Sequence, residues 1–199
     1  MEQSTNQILL RGSLGELPRL SHENHGIRFF AFPLEVERLS GTVDTLPVLV
    51  SEQVLCAMDL SGGALLEVKG QIRTYNSRCA ERRHLVISVY AENLLSCEGE
   101  PDNQADLTGT VCKEPVYRRT PLGREICDVM LAVNRPYHRA DYIPCIFWGR
   151  TAEQIGRCGV GTVLHLTGRL QSRTYLKMLK DTMETRIAYE VSAMTGEIL

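Results

Sequence analysis

The feature that most constrains this chain is that it resembles itself. At a fixed spacing of 97 residues Asn6 matches Asn103, Gly12 matches Gly109, Val36 matches Val133, Arg38 matches Arg135, Asp44 matches Asp141 and Pro47 matches Pro144. Gly70 in VKGQI pairs with Gly168 in LTGRL after one inserted residue, and VYA at 89 pairs with VSA at 191. Six identities in order at one offset mark a tandem duplication of one small fold. The 199 residues divide into an N-terminal unit over 1–96, a linker over 97–104 that is acidic and contains Gly and Pro, and a C-terminal unit over 105–199.

Both halves follow one plan. A short apolar strand with a glycine (ILLRGSL, ADLTGTV) leads through a long loop or hairpin to an alternating apolar strand (FFAFPLEVE, ICDVMLAVN). A third strand (LPVLV, IPCIF) precedes a short helix, over Ser51–Met58 in the first half and Thr151–Cys158 in the second. Thr151 and Gln154 have the spacing of a capping box, and Gly159 stands where a C-terminal cap belongs. Strands over Leu65–Ile72 and Val163–Leu170 follow, then a polar excursion and a last strand (HLVISVYA, RIAYEVSA). Three strands, a helix and two strands in about 95 residues is the order of the OB-fold, a five-stranded Greek-key barrel. Gly12, Gly70, Gly109 and Gly168 fall where a small barrel must bend sharply. The expected class is all-β with short helices, as two tandem OB-fold barrels.

Composition narrows the function. Seven cysteines (56, 79, 97, 112, 127, 145, 158) include no C-x-x-C pair, so buried reduced thiols are expected rather than disulfides or a zinc site, and the five histidines add no metal spacing. Cys145 and Cys158 have basic neighbours but no positioned base, and neither a phosphate-binding G-x-x-x-x-G-K-[ST] loop nor a G-x-S-x-G elbow is present. No catalytic residue, metal or cofactor is therefore expected. No apolar run approaches the roughly 20 residues of a membrane span. The N-terminus lacks a secretory leader, so a cytoplasmic protein without a membrane partner is expected. Net charge is −2, but residues 1–102 carry 9 Lys+Arg against 14 Asp+Glu while residues 103–199 carry 13 against 10. The second half is thus the candidate for binding phosphates.

Within that half, Thr120–Glu153 mixes arginine with aromatic residues on expected strands. It holds Arg124, Arg135, Arg139, Arg150, Tyr137 and the only tryptophan, Trp148, with Arg118 and Arg119 just upstream. Bases stack on aromatic rings whatever their sequence, and arginine binds phosphate or stacks in turn. The bland reading of Trp148 is a core residue near a helix start, and that of a single arginine is solvated surface.

The second half resembles the bacterial single-stranded DNA-binding protein family, which includes related primosomal replication proteins. The likeness is carried by LTGTV at 107, AVN at 132, FWGRTAE at 147, VGTVLHLTGRLQSRTY at 160 and AYEVSA at 188. It covers residues 103 to about 193, and the first half more weakly. The resemblance implies stacking of bases on Tyr137 after strand two, on Trp148 ahead of Gly149 and Arg150, and on Tyr175, seven residues after Gly168. Arg135, Arg139, Arg150, Arg169 and Arg173 would bind phosphates beside them. Lys177 and Lys180 would extend the groove along a strand-four to strand-five loop at 176–186, and Arg118, Arg119 and Arg124 along the strand-one to strand-two hairpin.

By the same offset the first half has Ser40, Ser51 and, seven residues after Gly70, Ser77 at these positions, with Tyr75 and Arg73 as partial compensation. It is expected to be degenerate for DNA binding and to serve self-association or partner contact, with Phe29, Phe30 and Phe32 shared between core and interface. The expected partners are single-stranded DNA, a second copy giving a dimer of two-barrel chains, and replication proteins. Many family members end in an acidic tail that recruits enzymes, whereas this sequence ends MTGEIL just after its last expected strand. The expected role lies in DNA replication, recombination or repair. A primosome-type protein-interaction adaptor and an RNA-binding OB module are the alternatives, since nothing in the sequence reads the 2′-hydroxyl.

Overall fold

The computed structural model describes residues 5–56, 58, 60, 63–77, 84–179 and 182–199. The first half runs β1 (Asn6–Leu14), β2 (Arg19–Asn24), β3 (Ile27–Glu37), β4 (Val43–Ser51), α1 (Glu52–Leu55), β5 (Leu65–Ser77) and β6 (His84–Ser96). The second runs β7 (Asp102–Val111), β8 (Val116–Arg119), β9 (Glu125–Arg135), β10 (Arg139–Trp148), α2 (Gly149–Ile155), β11 (Val163–Leu179) and β12 (Thr182–Ile198). Among the described residues no helix is long and apolar enough to cross a membrane.

Each half closes into the expected barrel. In the first, β1 pairs with β3, β3 with β4, β4 with β6 in parallel, β6 with β5, and β5 back with β1. The second repeats this circuit with β7, β9, β10, β12 and β11. Period-two alternation sends Leu10, Leu34 and Val68 into the first barrel and Leu107, Leu131 and Leu166 into the second, all fully buried. Ala152 and Ile155 of α2 add to the second core.

The barrels join edge to edge, because β1 also pairs antiparallel with β7. Ile8 stands opposite Ala105, its own equivalent 97 residues on, so a pseudo-two-fold axis passes through that pair. The strand order β2-β3-β4-β6-β5-β1-β7-β11-β12-β10-β9-β8 is accordingly palindromic in equivalent strands.

The repeated residues turn out to serve these joints. At the end of the β1–β5 ladder the Asn6 amide stands in for a peptide: its Nδ2 donates to Ile72 O at 2.7 Å and its Oδ1 accepts from Ile72 N at 2.9 Å. Asn103 does the same to Leu170, at 2.6 and 3.0 Å. At Gly168, beside a bulge in β11, an added Cβ would lie 2.4 Å from Ser192 O, so only glycine admits that approach.

Several boundaries differ from the sequence reading. The helix after β10 starts at Gly149, with Trp148 as N-cap, no side-chain capping bond and Gly156 as C-cap, so the Thr151–Gln154 box and the Gly159 cap do not form. Gly149, at φ +57°, makes the turn itself, which moves the start ahead of Thr151. The helix after β4 is only four residues. The connector between barrels is 97–101, since Asp102, Asn103 and Gln104 already pair with Arg11, Leu10 and Leu9. The expected loop at 176–186 is instead the end of a β-ribbon, with β11 and β12 paired out to Leu179 and Thr182.

Candidate nucleic-acid interface

Strand β10 sets out the second barrel's surface. Its odd-numbered residues Asp141, Ile143, Cys145 and Phe147 point inward and are buried, and alternation puts its even-numbered residues on the other face, where Tyr142 and Trp148 are exposed and Ile146 is covered. Trp148 ends the strand with an extended backbone (φ −126°, ψ 147°), and the turn at Gly149 leaves the indole on the rim, 38% exposed. Its Nε1–H donates to Ser192 Oγ on β12 at 3.0 Å, which fixes the plane of the ring. This is a surface position, not a core one.

Tyr142 is the aromatic that sequence reasoning missed. It lies six residues before Trp148 on the same face of β10 and is 46% exposed. Even spacing from Trp148 on one strand was the signal for it. Tyr137 stands at the opposite end of β10 from Trp148, in the three-residue turn between Arg135 and Arg139. Tyr137 and His138 both adopt left-handed conformations (φ 63° and 54°), an uncommon arrangement for non-glycine residues, and the Tyr137 side chain is 92% exposed. Tyr175 projects from the β11–β12 ribbon opposite Arg186, with the Arg173 guanidinium 5.7 Å from its ring centroid. Tyr137, Trp148 and Tyr175 are therefore all on the surface, with Tyr137 and Trp148 at opposite ends of β10. At about 3.3 Å per residue, Tyr142 and Trp148 alone are about 20 Å apart, so the rings form a track rather than a pocket.

The basic residues divide by pairing. Arg118 is held by Asp128 at 2.7 Å, Arg119 by Glu125 at 2.9 Å, Arg135 by Asp141 at 3.2 Å and Arg173 by Glu190 at 3.8 Å. Arg119, with Tyr117 behind it, holds the Glu125 carboxyl below its usual range by hydrogen bonding. Arg124, Arg139, Arg150 and Arg169 form no ion pair among the described residues. Arg124 and Arg150 are exposed beside the β8–β9 turn and α2, Arg139 opens β10, and Arg169 stands opposite Ser192 and lines the groove between the barrels. Lys180 lies outside the described residues, as does the side chain of Lys177, whose backbone pairs with Glu184.

The thiols only partly follow expectation. Cys127 and Cys145 are buried, and burial pushes Cys127 up to about 11 and Cys145 higher still. Cys56 is exposed, Cys97, Cys112 and Cys158 are half-buried, and Cys79 lies outside the described residues.

Strand β10 also touches the other barrel. Asp141 Oδ1 accepts from Thr74 N of β5 at 2.7 Å, Asp141 Oδ2 accepts from Arg73 at 3.2 Å, and Tyr142 N donates to Thr74 Oγ1 at 2.8 Å. The symmetric contact is made by Asp44, whose Oδ1 accepts from Ser172 N at 2.7 Å and Ser172 Oγ at 2.9 Å, while Arg38 donates to Asp44 at 2.6 Å and to Ser172 O at 3.1 Å. The duplicated Arg and Asp thus form a clasp in which each barrel grips the ribbon of the other.

Residues 102–198 match the sequence pattern of the single-strand binding protein family. The chain is 38% identical over 80 residues to single-stranded DNA-binding protein B of Bacillus subtilis, spanning 37% of this chain and 71% of that protein. It is 34% identical over 103 residues to the single-stranded DNA-binding protein of Halalkalibacterium halodurans, spanning 48% of this chain and 58% of that protein. Over its whole length the fold superposes on the single-stranded DNA binding protein from Thermus aquaticus, with a TM-score of 0.80 at 23% identity, covering 98% of this chain and 92% of that one. The tandem arrangement of barrels is shared along with the barrel itself.

Proposed function

The chain belongs to the single-strand binding protein family, and from that premise we propose that it binds single-stranded DNA, without catalysis and with little sequence preference, on the outer face of its second barrel. The observation that carries this reading is the exposed, oriented row of rings on one face, Trp148 pinned by Ser192 and Tyr142 beyond it, with Tyr137 displayed on a left-handed turn. A ring displayed at such backbone cost serves a ligand better than it serves the fold. Stacking contributes about 1–3 kcal/mol per base and accepts any base. Among the candidate arginines, Arg124, Arg139, Arg150 and Arg169 carry no ion pair with the described residues and are open to phosphates, whereas Arg118, Arg119, Arg135 and Arg173 first exchange a carboxylate for a phosphate. Tyr175 extends the surface along the ribbon. The role is passive protection of single strands during replication, recombination or repair.

A titration with oligo-dT tests this directly, because Trp148 is the only tryptophan. Its emission is expected to quench on binding. The plot of log K against log salt is expected to fall with a slope of about −3, as four phosphate contacts on a single strand require. Unchanged emission together with no complex at low salt overturns the reading. Competition by oligo-U separates a DNA from an RNA ligand.

A further inference from the structure

The first barrel was expected to be poor at holding a strand, because serines occupy the three positions equivalent to the second barrel's aromatics. Its surface carries rings at other positions. Leu49 of β4 stands opposite Tyr90 of β6, and Phe29 of β3 stands opposite Ser51 of β4, so alternation puts Phe29 and Tyr90 on one outer face. Their centroids are 6.4 Å apart at 46°. On the far side of Phe29 the imidazole of His22, from the wholly exposed β2, stacks at 5.0 Å and 11°. On the near side of Tyr90 the Arg73 guanidinium lies 6.0 Å from the ring centroid. Tyr75, two residues along β5 from Arg73 and therefore on the same face, is 60% exposed.

This row does not stand apart from the second barrel's face. Arg73, which covers Tyr90, also bonds Asp141 at 3.2 Å, and Thr74, between Arg73 and Tyr75, receives the Tyr142 backbone N–H at 2.8 Å. The clasp therefore butts the end of the Trp148–Tyr142 track against the start of a second track, Tyr75, Arg73, Tyr90, Phe29 and His22. The two barrels place their rings on different strands: the position equivalent to Tyr90 is Ser192, and that equivalent to Phe29 is Ile126.

We propose that a single strand of DNA leaving the Trp148–Tyr142 face crosses the clasp and continues over the outer face of the first barrel, stacking on Tyr75, Tyr90 and Phe29. This rests on the reading of the second barrel given above and extends it to a continuous site over both. The first half carries an excess of acidic residues, 14 against 9 basic over residues 1–102, so its share of the site works by stacking and contributes little to counterion release.

The test is a fluorescence-anisotropy titration of the full chain with a labelled oligo-dT long enough for both barrels, about 30 nucleotides, given roughly 4–16 per OB barrel. It compares the unaltered chain with Tyr75→Ala, Tyr90→Ala, Tyr90→Phe and Trp148→Ala. Tyr75→Ala and Tyr90→Ala are each expected to weaken binding at least about fivefold while leaving the slope of log K against log salt unchanged, and Tyr90→Phe is expected to restore it. Thermal midpoints measured alongside separate lost stacking from lost fold, and Tyr75→Ala removes a side chain too exposed to unfold the barrel. If Trp148→Ala weakens binding but Tyr75→Ala and Tyr90→Ala do not, the strand stays on the second barrel and the proposal is overturned. If the unaltered chain fails to bind the oligonucleotide, the proposed function itself falls.

Discussion

At the scale of single residues, the surface is decided by which side of a strand a ring occupies. Tyr142 illustrates this, since its neighbours Asp141 and Ile143 are fully buried while it is half-exposed on the same face as Trp148. Replacing it by alanine removes a stacking platform and little core. Tyr142→Ala is expected to weaken oligo-dT binding at least about fivefold, about 1 kcal/mol, with a thermal midpoint within a few degrees of the parent. Binding at parental affinity would show that the row of rings is not the binding track. Trp148 was legible from the sequence as a stacking candidate through the family resemblance carried by FWGRTAE, whereas its place near a helix start alone pointed to the core. Tyr142 was not singled out, although period two from Trp148 would have found it.

At the scale of elements, the clasp carries the argument. Asp44 sits in β4 with its side chain only 1% exposed, and desolvation pushes its carboxyl up. The Arg38 hydrogen bonds and the backbone and side-chain bonds from Ser172 outweigh that, and the carboxyl lies below its usual value. A carboxyl whose folded value is depressed adds stability that is fully present above its unfolded value, about 3.9, and that stability is lost as pH falls from there toward the folded value. The thermal midpoint of the parent is therefore expected to drop more steeply below about pH 4 than that of Asp44→Asn. At pH 7 the same substitution leaves Arg38 without its carboxylate and is expected to cost about 3 kcal/mol in chemical denaturation. Equal acid sensitivity of the two proteins would remove Asp44 from the account. The paired Arg and Asp were legible as a repeat, but not as a clasp, because Asp44 and Ser172 lie 128 residues apart and in different barrels.

At the scale of the molecule, two barrels joined through β1 and β7 already reproduce within one chain a symmetric pair. We expect two chains to associate, since closed two-fold assemblies are the commonest for soluble oligomers. Light scattering on the eluting peak is expected to give twice the chain mass of 22.3 kDa. A peak at the single-chain mass across the micromolar range would show that one pair of barrels acts alone.

The duplication, the order of strands and helix along each half and the alternation of apolar with polar residues in the strands could be read from the order of residues alone. Those properties are local, or repeat at fixed spacing, and a period of two or an offset of 97 exposes them. Only the tertiary structure decided the rest. Strand alternation says that Arg73 and Tyr75 share a face but not that β10 of the other barrel abuts it, because that neighbour is set by the pairing of β1 with β7. The same joint turns the first barrel's scattered rings, on β2, β3, β5 and β6, into a row that no single stretch of sequence displays.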